Sequence, residues 1–131
     1  MRTLKRRSKL VIGATAVMAV IAPAAALAAI NWQITMHGSA GYPKANGSAQ
    51  YQSQSGHREV QLEVQRVRSL AGRTVVFSAG GMTLGSTKVP ATGRADITRN
   101  TELGQKVPTI VHGSPVSVRT AGGQLITSGR F

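Results

Sequence analysis

With three histidines and four carboxylates, this chain of 131 residues is poorly supplied with the side chains that most often transfer protons or bind metals. They come closest together in His57-x-Glu59-x-x-x-Glu63. If this stretch is a strand, alternate residues share a face, so His57 and Glu59 supply two ligands of a metal site, with His37 or His112 as the third. Glu59 and Glu63 fail as an acid–base pair for glycoside hydrolysis. Four strand residues separate them by about 13 Å, whereas such pairs lie about 5–9.5 Å apart. A serine nucleophile needs a histidine and an orienting carboxylate, and the chain has no Gly-x-Ser-x-Gly elbow. His112-Gly113-Ser114 with Asp96 is the nearest approximation. Gly80-Gly81 and Gly122-Gly123 lack the residues and the helix start that a phosphate cradle requires, and they read as turns.

The chain contains no cysteine, which excludes disulfides, thiolate catalysis, cysteine-ligated zinc or iron–sulfur sites and a cysteine-linked lipid anchor. What it has in abundance is arginine. Arg66, Arg68 and Arg73 follow the His57 segment closely, and Arg94, Arg99, Arg119 and Arg130 fall on later strands or their ends. Guanidinium groups bind phosphate, sulfate and carboxylate in bidentate fashion, so Arg66, Arg68 and Arg73 gathered on one face make a site for an anionic polymer. Dispersed, they serve solubility alone. Nucleic acid is disfavoured as the partner, because stacking aromatics are not interleaved with the charges.

The elements positioning these residues are short and β-type. From Ser48 onward, alternating apolar segments are separated by Gly, Pro or Asn at spacings of about 8–12 residues. Val60, Leu62 and Val64 alternate against Glu59, Gln61 and Glu63, so His57 to Arg68 reads as a strand with a bulge or an end near Arg66. A helix through Val60, Val64 and Val67 is the rival. Arg73–Ala79 and Met82–Thr87 flank Gly80-Gly81, while Val116–Ala121 and Gln124–Ser128 flank Gly122-Gly123, as two hairpins. Further strands are expected at Ala49–Ser53, Gly93–Arg99 and Thr109–His112, the last within a polar crossing over residues 100–115. Asn46-Gly47 reads as a turn. Residues 29–47 read as a flexible lead-in in which Trp32, Ile34 and Met36 offer at most one short strand.

The expected fold is therefore all-β: a small antiparallel β-sandwich of six to eight short strands over residues 48–131, Ig-like or transthyretin-like in style. An outer-membrane barrel is set aside, because Trp32, Tyr42, Tyr51, Phe77 and Phe131 are too few aromatics for two girdles.

Residues 1–28 have the zones of a signal peptide: basic Arg2, Lys5, Arg6, Arg7 and Lys9, an apolar run from Leu10, and a small-residue end. Ala26 and Ala28 suit the signal peptidase pocket, placing the cut after Ala28. Removing this segment takes five of the 16 basic residues and no acidic ones, leaving 11 against 4, a charge of +7. The alternative is a retained membrane helix over Leu10–Ala29, about the 20 residues a bilayer needs. Pro23 and the Ala-rich end favour cleavage, so membrane contact is expected during export only.

The stretch Tyr51–Phe131 carries Arg58-Glu59-Val60, Ser69-Leu70-Ala71-Gly72, Leu84-Gly85, Gly93-Arg94-Ala95, Gly104-Gln105-Lys106-Val107-Pro108 and Ser128-Gly129-Arg130-Phe131. On these residues it resembles small exported bacterial β-domains of uncharacterised function. The resemblance implies a compact β-fold in the periplasm, cell wall or medium and supplies no catalytic residue. The functional expectation is a non-enzymatic binding or structural module without a cofactor, facing an anionic envelope polymer or another envelope protein. A small hydrolase or metal-dependent enzyme using His57 and Glu59 is the alternative, and a membrane-anchored envelope protein is a third.

Overall fold

The structure, a computed structural model, describes residues 29–131. The signal segment with Ala26 and Ala28, and the rival helix from Leu10, lie outside the described residues. Strand β1 (Ile30–Gly38) opens a meander with β2 (Asn46–Gln54) and β3 (His57–Gln65). The register puts Trp32 opposite Tyr51, and Tyr51 opposite Val60. Each strand therefore turns one alternating set of side chains inward. Met36, Ala49, Tyr51, Val60, Leu62 and Val64 are buried, while Asn31, Gln33, Gln52 and Gln61 point outward and are exposed. Valine-rich alternation decides β3 against the helix.

The remaining strands are β4 (Thr74–Ala79), β5 (Met82–Lys88), β6 (Ala95–Asn100), β7 (Pro115–Thr120) and β8 (Leu125–Arg130). All pairings are antiparallel, in the order β5-β4-β7-β8-β1-β2-β3-β6. Gly80 and Gly81 carry φ of 58° and 82°, the positive pair a two-residue turn needs. Short 3-10 turns occupy Arg68–Leu70 and Thr101–Leu103.

Two separate sheets were expected, and the eight strands instead form one nearly closed, barrel-like sheet. The difference lies in β1. The residues read as a flexible lead-in form a nine-residue strand that pairs with β2 along its length and meets β8 at His37↔Ser128 and Gly38↔Thr127. Without β1, the groups β5-β4-β7-β8 and β2-β3-β6 would be two facing sheets; with it they are continuous. At the far edge β5 and β6 approach without a ladder, and the Arg99 guanidinium spans the seam by donating from Nε to the Leu84 carbonyl at 2.9 Å. Eight strands enclose an interior that side chains can fill. Tyr51, Phe77, Met36 and Leu62 fill it here, beside small Ala49, Ala79 and Ala95. An apolar interior under a polar exterior is the reverse of the membrane-barrel pattern.

Two turn and strand expectations are also corrected. Asn46-Gly47 lies inside β2. A Cβ on Gly47 would fall 3.0 Å from Met36 Cε and closer still to the Glu63 carbonyl, so this glycine permits close strand approach and makes no turn. Thr109–His112 is not a strand. The crossing instead buries Val107, Pro108 and Ile110 at one end of the barrel, where Arg58 clamps it through two bonds to the Val107 carbonyl, 3.2 Å from Nε and 2.9 Å from a terminal nitrogen.

Candidate functional site

With one end of the barrel plugged by the crossing, the other end collects the β7–β8 turn (residues 121–124) and three connections that approach one another: β1–β2 (residues 39–45), β3–β4 (residues 66–73) and β5–β6 (residues 89–94). Between them lies a groove of about 840 Å³ whose lining includes Tyr42, Lys44, Arg66, Arg68, Ser69 and Arg94. Antiparallel pairing explains the convergence. Asn46 faces Gln65 across β2–β3 and Val64 faces Ala95 across β3–β6, so Lys44, Arg66 and Arg94 must leave their strands side by side.

The frame of the groove is fixed by backbone. The Val67 N–H donates to the Gly93 carbonyl at 3.1 Å, joining the β3–β4 and β5–β6 connections. Gly93 has φ of 76°, and a Cβ there would stand 2.8 Å from the Arg68 backbone nitrogen and 2.6 Å from its Cγ. Only glycine lets the two loops meet this closely. Arg66 has φ of 63°, a left-handed conformation that costs a non-glycine residue about 1–3 kcal/mol and that clusters at binding and catalytic sites.

The cations differ in how far they are already satisfied. Arg94 is compensated, with Nε 3.1 Å from the Glu63 carboxylate and a terminal nitrogen 3.2 Å from Gln65 Oε1. Arg68 makes one long bond, Nε to the Thr92 carbonyl at 3.5 Å. Lys44 and Arg66 side chains have no hydrogen bond or ion pair among the described residues. Other arginines are occupied in holding backbone. Arg119 and Arg130 donate to the Gly123 and Gly113 carbonyls at 3.1 and 2.8 Å, beside Arg58 and Arg99 above.

Of the three arginines expected to form a patch, the structure therefore brings Arg66 and Arg68 into one groove. Arg73 stands outside its lining, with its carbonyl tied to the Val89 N–H at 2.9 Å and its side chain exposed. Lys44, Arg94 and Tyr42 complete the groove and were not grouped with the patch. Nothing in their local sequence ties them to Arg66; the strand register does.

His57 and Glu59 share a shallow cavity of about 490 Å³ at the opposite end with Arg58 and Glu102. His57 Nδ1 lies 3.8 Å from Glu102 Oε2, with both side chains about 60% exposed, a geometry in which a solvated pair has little mutual hold. The expected third ligands are elsewhere. His37 and His57 bracket opposite ends of β2, facing Asn46 and Gln54, about 27 Å apart at strand rise. His112 stacks on the Trp32 ring with centroids 4.3 Å apart. Among the described residues no three His, Asp or Glu side chains gather as a metal site. The serine arrangement also disperses. Ser114 is buried and accepts the Val111 N–H at 2.9 Å, while Asp96 faces Glu63 across β3–β6.

Compared with protein-family models, curated proteins and solved structures, the chain matches none.

Proposed function

We propose that residues 29–131 are an exported, non-enzymatic binding module of the cell envelope or extracellular space that holds an anionic polymer in the groove lined by Lys44, Arg66 and Arg68. One observation carries the reading: three weakly partnered or unpartnered cations converge on a frame locked by the Val67–Gly93 bond. Holding like charges together costs free energy that an anionic ligand recovers. The left-handed Arg66 adds local strain of the kind found where a side chain is aimed at a ligand. Export rests on the composition of residues 1–28.

The test is retention of residues 29–131 on isolated envelope and on anionic polymer beads across a salt gradient. Arg66→Ala/Arg68→Ala is run beside Arg73→Ala/Lys106→Ala, which removes the same charge outside the groove. Loss confined to the groove variant, with retention falling as salt rises, is the expected result. Equal behaviour of the two variants would reduce the effect to net charge and refute a groove.

A further inference from the structure

The groove is not lined by charge alone, and its uncharged lining narrows the ligand. Tyr42 and Pro43 line the groove together with the hydroxyl-bearing Ser69 and Thr92. The Tyr42 ring is partly restrained. It packs in part against the core, its Oη donates to Gln124 Oε1 at 3.4 Å, and its backbone is held by Tyr42 N–H to Ser39 carbonyl and Ala45 N–H to Tyr42 carbonyl, both 3.0 Å. A chain of bare phosphates has nothing to place against an aromatic ring and a proline. A pyranose has an apolar C–H face that stacks on a ring, hydroxyls that meet Ser and Thr, and, when acidic, carboxylates or sulfates that a guanidinium grips in bidentate fashion.

We propose that the ligand of this groove is an acidic polysaccharide, with one sugar ring stacked on Tyr42 and its anionic groups held by Arg66, Arg68 and Lys44. This rests on the anionic-polymer reading above and adds the chemical class. Single-stranded nucleic acid fits less well, because it is bound by a succession of aromatic platforms and this groove presents one. The volume of about 840 Å³ lies within the range of small-molecule sites, room for a few sugar units.

The experiment measures binding to four probes at equal ionic strength: polygalacturonate, neutral dextran, inorganic polyphosphate and oligothymidylate. The proposal expects polygalacturonate to bind most tightly and dextran not at all. Tyr42→Leu should weaken polygalacturonate about 3- to 10-fold while changing polyphosphate less than about 2-fold, the loss of one stacked ring, with Tyr42→Phe retaining binding. Since Tyr42 touches the core, a second measurement uses the unaltered protein: saturation transfer between sugar protons and the Tyr42 ring is expected. Absence of that transfer, an equal fall on polygalacturonate and polyphosphate, or tightest binding to oligothymidylate overturns the sugar assignment and leaves the anionic groove standing. If Arg66→Ala/Arg68→Ala binds every probe as the parent does, the groove itself is refuted.

Discussion

Replacing Gly93 by alanine separates two costs that the groove imposes on its own backbone. The first is conformational: φ of 76° at residue 93 is left-handed, costing an L side chain about 1–2 kcal/mol. The second is contact. The new Cβ would stand 2.8 Å from the Arg68 nitrogen and 3.1 Å from its Cα, and relieving an overlap with backbone costs about 1–3 kcal/mol more. The Val67–Gly93 bond lies directly at that contact, so the loops must part or strain. Gly72 supplies the control, since its φ is 79° and nothing lies within 4 Å of a Cβ there. Gly72→Ala should therefore lose about 1–2 kcal/mol, and Gly93→Ala about 2–5 kcal/mol. At about 4–8 °C per kcal/mol, thermal unfolding should place Gly93→Ala clearly below Gly72→Ala, by roughly 5–20 °C. At a temperature where both are folded, Gly93→Ala should also bind anionic polymer more weakly, because Arg68 is displaced. Equal melting temperatures for the two variants would refute the claim that Gly93 and Arg68 fix the groove.

Three further outcomes follow from the packing. Phe77→Ala opens a cavity beneath a fully buried ring and should cost about 3–5 kcal/mol in urea unfolding with anion binding intact below the transition. Arg99→Ala removes the 2.9 Å bond to the Leu84 carbonyl that spans the open seam, so hydrogen exchange should accelerate along β5 and β6 more than along β1 and β2. His112→Ala removes the 4.3 Å stack on Trp32; tryptophan emission should change while polymer binding does not, since the pair sits at the end opposite the groove.

How much of this was legible in the sequence depended on whether the signal was local. The alternation of Val60, Leu62 and Val64 identifies β3, and the paired glycines at 80 and 81 place a hairpin turn. Residues 30–38 were harder. In β1 only Met36 is fully buried, and Ile30, Trp32 and Ile34 are half-covered, so the strand lacks the strong apolar pattern of β3. Its pairing with β2 and β8 is long-range, and missing it turned one sheet into two. The Asn46-Gly47 pair illustrates the same limit, because the demand for glycine comes from Glu63 and Met36 on neighbouring strands. For the site, the Arg66–Arg68 cluster was visible as a run of charge, and Arg73 was drawn in by proximity in sequence. Lys44 and Arg94 join through register. His57 and Glu59 share a strand face, as alternation requires, yet even with Glu102 near His57 no three His, Asp or Glu side chains among the described residues gather as a metal site.

The most direct test of the central claim is a backbone amide titration of residues 29–131 with an anionic polymer, followed by nuclear magnetic resonance. The account predicts shifts concentrated at Tyr42–Ala45, Arg66–Ser69 and Thr92–Arg94, fading as salt is raised. Shifts centred instead on His57, Glu59 and Glu102, or spread evenly over every exposed cation, would contradict it.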